Sequence, residues 1–232
     1  MDRLILPDEH DIAIQKLLEK IPEKIAEGAE AAVLHIGAHM GEEVPFYIAK
    51  GFKNIYLVEA NPDVADRLSD KFSGNSRVQV FNLAICDKTG IADLIVHETI
   101  KGSVESASIL ELKELGKIVP VFDSSKKYSV PSNTLDGFVL EHNLQSKIDL
   151  LTLDIQGAEL LALTSGRNCL RDVSALICET NLIENYEGCP SEQEIDNFLE
   201  NMGFKKILGV YHELYTRDDR FPAWGECLWI ST

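Results

Sequence analysis

Three short stretches of this sequence place small, amide and carboxylate residues where ligand chemistry needs them. The first is Gly37-Ala38-His39-Met40-Gly41, which closes the apolar run AAVLHIGA at 31–38. Gly37 permits a tight turn, and Gly41 permits a close approach of backbone to a ligand. The pattern is G-x-x-x-G, not the G-x-G-x-x-G of dinucleotide sites. The missing middle glycine is the one that lets a pyrophosphate sit on the helix N-terminus. Glu42 and Glu43 follow at once and would repel phosphate, so a positively charged or zwitterionic ligand suits this turn better. The second stretch is Glu59-Ala60, 22 residues beyond Gly37 at the end of NIYLVEA. A carboxylate there is placed to accept hydrogen bonds from both ribose hydroxyls. The third is Asn82-Leu83-Ala84, where a side-chain amide and backbone groups can meet an adenine edge. Ordinary turn geometry would account for the glycines, and helix capping for Glu59. Order and spacing together favour a nucleoside-bearing cofactor.

A ribose without a pyrophosphate points to S-adenosylmethionine. Methyl transfer from a sulfonium is an in-line displacement in which positioning supplies most of the acceleration, and a general base is needed only for a hydroxyl acceptor. Asp154, in IDLLTLDI (148–155), is the candidate for that work: it can orient the acceptor, take its proton or stabilise the sulfonium. Its plainer role would be to cap the next helix or satisfy the turn at Gly157. Glu159 reads as a carboxylate bonding loop amides at a helix start, or as a substrate contact. His39 can face cofactor, acceptor or solvent. Glu179 and Asn181 end a later strand, where an oxygen-ligand Mg²⁺ site is conceivable, although carboxylates at strand ends are common without metal and none is assigned. SVESAS (103–108) and Tyr186–Pro190 are expected to wall the acceptor pocket.

These residues need a sheet to hold them. AAVLHIGA reads as a strand buried on both faces. A helix over Glu42–Lys50 closed by Gly51, the strand 54–60, a helix over Pro62–Phe72 capped by Asn61, and the strand VQVFNLAI (78–85) follow. That succession opens a doubly wound parallel sheet, in which ligands bind at the carboxyl ends of strands. The rhythm resumes with 148–155, a helix near 158–170, the strand SALICETN (174–181) and a helix over Ser191–Met202. Lys206–Tyr215 and Glu226–Ser231, joined by a polar loop with Pro222, should pair antiparallel. Residues 91–147 read as an insertion over the carboxyl edge, with a strand at 92–98, a polar loop at 99–108, an extended stretch at 128–132 and a helix over Leu135–Glu141. An N-terminal helical segment carries apolar Ile12, Ile14, Leu17, Leu18, Ile21 and Ile25, broken by Pro22. The expected architecture is α/β: one domain over 1–232 built on a mostly parallel seven-stranded sheet.

Composition narrows the partners. In 232 residues, 22 Lys+Arg stand against 38 Asp+Glu, a net charge of −16, which disfavours a nucleic-acid substrate. No run approaches the roughly 20 apolar residues of a membrane span, and the opening MDRLILPDEHD lacks signal-peptide features. The five cysteines form no C-x-x-C pair, so the expected address is the cytoplasm.

The motifs VLHIGAHMGEE (33–43), YLVEANP (56–62), VFNLAICDKTG (80–90), NTLDGF (133–138), IDLLTLDIQGAELLALTSG (148–166) and ALICETN (175–181) resemble the FkbM-type methyltransferases, a branch of the class I S-adenosylmethionine-dependent fold. The LDIQGAE run is the most specific of them. The resemblance implies a Rossmann-like methyltransferase acting on oxygen of a small molecule or glycan. It also implies cofactor contacts from Gly37, Ala38, His39, Gly41, Glu59, Ala60, Asn82, Leu83 and Asp154. Two positions depart from the family. His35 stands where an acidic residue usually contacts the cofactor's amino group, and Gln156 stands where a Glu adds a carboxylate near the substrate side. Those departures keep a non-catalytic scaffold in contention, and the glycine pattern disfavours a nicotinamide-dependent oxidoreductase.

Overall fold

The computed structural model describes residues 7–99, 104–114, 122–145, 147–215 and 220–232. In chain order the strands are β1 (Ala32–Ile36), β2 (Asn54–Glu59), β3 (Val78–Asn82), β4 (Ala84–Ile85), β5 (Gly90–Thr99), β6 (Val104–Ser108), β7 (Phe122–Asn133), β8 (Leu150–Leu153), β9 (Ala175–Asn181), β10 (Phe204–Tyr215) and β11 (Arg220–Ser231). The helices are α1 (Pro7–Lys20), α2 (Glu23–Ala26), α3 (Val44–Lys50), α4 (Pro62–Phe72), α5 (Leu135–Glu141), α6 (Glu159–Thr164) and α7 (Glu192–Asn201).

Among the described residues, seven strands form the large sheet in the order β10-β11-β9-β8-β1-β2-β3. All neighbours from β9 to β3 run parallel, and β11 lies antiparallel to both β9 and β10. Every residue of β1, β8 and β9 is buried, which is why those segments read as unbroken apolar runs. Helices α1–α4 cover one face, packing Leu17, Tyr47, Phe52 and Leu68 against Val33, Ile55 and Leu57. Helices α5–α7 cover the other with Phe138, Leu163 and Leu199 around Leu34, Ile36 and Trp229. In α1 the buried stripe is Ala13, Ile14, Leu17 and Leu18, continued by Ile21 just beyond it, whereas Ile12, counted with it in the sequence, is 47% exposed.

The structure departs from the sequence reading where polar side chains take over backbone partners. The run 78–85 divides at Asn82, whose amide donates to the carbonyls of Glu59 (2.9 Å) and Ala60 (3.2 Å) and so ends pairing with β2. Its tail, β4, joins a second sheet ordered β4-β7-β5-β6. Residues 104–108, expected as loop, form β6 paired antiparallel to β5. The helix expected near 158–170 stops at Thr164. Ser165 turns its hydroxyl back to the Ala162 carbonyl (2.8 Å), and a 3₁₀ turn at Cys169–Arg171 follows. Pro222 lies inside β11 opposite Glu213, beside a register shift that absorbs its missing N–H.

Gly41 has φ +64, and a Cβ there would lie 2.8 Å from Phe72 Cε2 and 3.1 Å from Leu68 Cδ1, so its glycine serves packing against α4. Gly41→Ala combines a left-handed backbone with overpacking and should cost about 2–4 kcal/mol, a fall in Tm of roughly 5–10 °C. Thermal unfolding of the variant with wild-type Tm would show that α4 yields without strain.

Candidate active site

A cavity of about 360 Å³ opens at the carboxyl ends of β1, β2 and β8, within the roughly 300–1,000 Å³ of small-molecule pockets. The turn after β1 contributes Gly37 and His39, the end of β2 gives Glu59 and Ala60, and the crossing between the sheets gives Leu83 and Ala84. The loop after β8 gives Asp154 and Gln156. Leu94, Ala107 and Ser108 of the second sheet close another side, and His10 and Glu43 complete the wall.

Gly37 fixes the junction. Its φ is +85, and any Cβ would overlap the Asp154 carbonyl oxygen. The amides of Gly37 and Ala38 both donate to the Val58 carbonyl (2.9 and 3.1 Å), and the Asp154 amide donates to Ile36 (3.0 Å). The ends of β1, β2 and β8 are thereby tied together. Glu59, 7% exposed, accepts the His39 amide on Oε2 (2.8 Å) and the Asn61 amide on Oε1 (2.7 Å). Burial pushes its carboxyl upward against the opposing pull of those two N–H groups. Each oxygen keeps a free lone-pair direction, so this carboxylate shapes the turn and can also receive two ligand hydroxyls. His39 has φ +44 and a half-exposed side chain 3.4 Å from Glu42, which raises its imidazole above the ordinary value.

Three of the sequence-derived contacts stand outside this wall. The side chain of Ala38 is buried in the core under α1–α4, Gly41 faces Phe72 of α4, and the Asn82 amide is spent on the end of β2. His35 is also absent from the wall. It is 2% exposed on the α1–α4 face, 3.3 Å from the Tyr47 hydroxyl, and burial lowers its pKa.

Below the cavity a carboxyl cluster surrounds Gln156, whose backbone is left-handed at φ +54. Its amide nitrogen donates to Asp154 Oδ1 (2.8 Å) and to Glu179 Oε2 (3.0 Å). Its side-chain oxygen accepts from the Tyr186 hydroxyl, and its carbonyl accepts from Ser108 Oγ (2.7 Å). A neutral amide thus stands between two carboxyls that would repel if both were ionised. Burial, together with Asp154 and Glu159, pushes Glu179 well above the usual carboxylate range. Glu159, fully buried, accepts the amides of Ile155 and Gly157 (3.1 Å each) on one oxygen, and burial pushes it up to about 7. The loop-bonding role weighed for Glu159 is the one its contacts show. Asn181 Oδ1 is occupied by the Asn185 amide (2.7 Å), and among the described residues no three His, Cys, Asp or Glu side chains are grouped to hold a metal. Tyr186 and Cys189, expected in the acceptor wall, stand one layer behind it against Gln156 and Gly157.

Sequence reasoning missed His10, a lone histidine without motif spacing. From α1 it reaches Glu43 Oε1 with Nε2 (3.0 Å) and Glu226 Oε1 with Nδ1 (3.1 Å); Glu226 Oε2 in turn meets His212 Nε2 (2.6 Å). Burial opposes charge on His10, but the two carboxylates prevail and raise it to about 11. Glu43 is held down at about 2, because His35 and His10 outweigh the burial of its carboxylate. His10 therefore contributes stability fully below its ordinary 6.5, a contribution lost as pH rises through about 11. Glu43 contributes fully above 4.5, and that contribution is lost as pH falls through about 2. Substituting His10→Ala should cost about 2–3 kcal/mol between pH 4.5 and 6.5, and less on either side. Denaturant titrations at pH 3, 5.5 and 9.5 measure this, and a penalty independent of pH would contradict the charged clamp.

The family model, the curated relative and the solved structures that this chain resembles are all described as methyltransferases. A family model described as the methyltransferase FkbM domain matches residues 35–206. The 2-O-methyltransferase NoeI of Sinorhizobium fredii (strain NBRC 101917 / NGR234) is 26% identical over 168 residues, which cover 71% of this chain and 69% of that protein. Among solved structures, a methyltransferase FkbM from Methylobacillus flagellatus KT aligns with TM-score 0.51 at 13% identity, over 86% of this chain and 43% of that one. A precorrin-6y C5,15-methyltransferase from Geobacter metallireducens GS-15 aligns with TM-score 0.51 at 11% identity, over 100% of this chain and 93% of that one. At these identities the two structures speak for the fold alone.

Proposed function

The chain belongs to the FkbM methyltransferase family, whose methyl donor is S-adenosylmethionine, and on that premise we propose that it methylates a hydroxyl of a small molecule or glycan. The observation that carries this reading is Asp154. Its Oδ1 is held by the Gln156 amide, while the side chain stands in the cavity wall with Oδ2 available to a ligand. A fixed carboxylate at that point suits an oxygen nucleophile, which must lose a proton. The name of NoeI, a 2-O-methyltransferase, supports oxygen as the acceptor atom.

The cavity residues fit the cofactor. Glu59 offers two acceptor oxygens to the ribose hydroxyls, and Leu83 and Ala84 offer an apolar surface to adenine. The turn at Gly37 and His39 would receive the amino-acid end, and Asp154 would stand on the side of the transferred methyl group. Bound S-adenosylmethionine supplies an electrophilic methyl group on a sulfonium. Asp154 then orients the acceptor hydroxyl and takes its proton. Ser108 and Ile109, beside Asp154 in the wall, confine the acceptor and limit water.

Calorimetric titration with S-adenosylhomocysteine and with NAD tests the class: binding of the first alone is expected, and binding of neither would favour a scaffold. Glu59→Ala should weaken S-adenosylhomocysteine binding roughly tenfold to a hundredfold, since its charge-assisted hydrogen bonding contributes about 1.5–3 kcal/mol in all. An unchanged Kd in the folded variant would remove the ribose assignment. Asp154→Asn keeps the shape and one acceptor oxygen; turnover should drop about 10²–10⁴-fold, with S-adenosylhomocysteine affinity within roughly twofold of wild type. A methyl-release assay over hydroxylated metabolites and glycans provides the acceptor, and wild-type turnover by the Asn variant would end the general-base assignment.

A further inference from the structure

Gln156 is held more firmly than a loop residue needs to be. Its backbone is left-handed at φ +54, a conformation that costs free energy for any residue with a Cβ and persists only where the surroundings impose it. Two parts of the fold do so. Ser108, at the end of β6, donates its hydroxyl to the Gln156 carbonyl (2.7 Å), and the buried Tyr186 donates its hydroxyl to Oε1. Tyr186 is fixed in turn. Its ring lies against Gly157, where a Cβ would come within 2.9 Å of Cδ2, and a backbone bridge ties it to Leu112.

The far end of the side chain suits an amide better than an acid of the same size. Nε2 carries two N–H groups, and two carboxyl oxygens meet it: Asp154 Oδ1 at 2.8 Å and Glu179 Oε2 at 3.0 Å. An ionised glutamate in that place could only accept, and a protonated one could serve just one of the two carboxyls. With Oε1 taken by the Tyr186 hydroxyl, the N–H groups point at the carboxyls. Asp154 Oδ2 has no hydrogen bond among the described residues, and both Asp154 and Gln156 stand in the cavity wall.

We propose that Gln156 is the positioning residue for Asp154: its amide, oriented by Tyr186, holds Oδ1 so that Oδ2 is the oxygen presented to the acceptor hydroxyl. This rests on the reading of Asp154 as the group that takes the acceptor's proton. The second N–H, on Glu179, anchors the same amide to β9, so the carboxylate at the end of β8 is registered to two strands. Proton transfer needs its accepting oxygen within hydrogen-bond reach of the hydroxyl, and a displacement of about 1 Å can cost on the order of a hundredfold in rate. An amide takes up no proton itself, so the influence of Gln156 passes through Asp154.

The test is a double-variant cycle with S-adenosylmethionine and the hydroxylated acceptor that the wild type turns over fastest. Gln156→Met keeps the length, the neutrality and the left-handed backbone cost but has no N–H. It should lower kcat about 10–100-fold, with KM for the acceptor and Kd for S-adenosylhomocysteine within roughly twofold of wild type. Added to Asp154→Asn, it should cost less than about twofold more, because residues that act as one unit are not additive. Tyr186→Phe leaves the amide free to turn and should lower kcat in the same way by a smaller factor; it takes the place of Gln156→Met if that variant does not fold. A crystal structure of the variant with S-adenosylhomocysteine needs no acceptor, and in it Asp154 should leave its wild-type rotamer or occupy more than one. Losses that multiply in the double variant would show Gln156 acting independently of Asp154 and overturn the proposal. So would a raised KM with kcat unchanged, or an Asp154 side chain superimposable on the wild type. Wild-type turnover by Asp154→Asn alone would instead bring down the general-base reading, and the proposal with it.

Discussion

The site depends on one close approach, between the backbone at Gly37 and the carbonyl of Asp154. Only a residue without a Cβ can occupy that point, and φ +85 compounds the requirement. Because the carbonyl sits there, the amide of the same Asp154 can donate to Ile36, and the amides of Gly37 and Ala38 can converge on Val58. Three parallel strands thus end at a single hydrogen-bonded junction. The side chains that leave it, Glu59 from β2 and Asp154 from β8, inherit fixed positions from the sheet. A wider separation of β1 from β8 would leave Glu59 and Asp154 on surfaces free to drift apart.

Charge is the second constraint, and the cavity manages it by distributing protons and amides. Asp154, Glu159 and Glu179 crowd the floor, while Glu43 lines the side toward α1 with Glu226 behind His10. The floor is kept quiet by its partners: an amide at Gln156, backbone N–H groups at Glu159, and burial that pushes the Glu179 carboxyl well above the usual range. The side near α1 is balanced by a cation, His10, held between two ionised carboxylates. A glutamate in place of Gln156 would add a fourth acid to the floor and require a proton or cation in compensation.

Most of the large sheet could be read from the residues, because its strands are buried on both faces and its helices carry explicit caps. Asn61 accepts from Asp63, Ser191 and Glu194 form a reciprocal box, and Thr134 accepts from Gly137. The second sheet was only half legible. β6 is short and polar in sequence, and β4 is hidden in the tail of an apolar run that the Asn82 side chain divides. Within the site, Gly37, His39, Glu59, Ala60, Leu83 and Asp154 stand in the cavity wall, each at or within three residues of a strand end. Ala38, Gly41 and Asn82 do not, because adjacency in sequence says nothing about which way a turn residue faces. His10 left no trace in the sequence: its partners are 33 and 216 residues away.

The strand order also bears on how the chain acquires its shape during synthesis. β10 is made before β11, yet β11 lies between it and β9, so β10 has no place on the sheet until its successor arrives. A nascent chain that has emerged as far as Tyr215 carries β9 with an open edge, rich in apolar side chains and unpaired backbone groups. Such an edge is a template for another chain. The step that seals it also delivers Glu226 to His10, joining the late-made strand to the first helix. Closure of the sheet and completion of the Glu43–His10–Glu226 clamp are therefore one event, and a stalled or truncated product would carry a sticky edge and a His10 held by Glu43 alone.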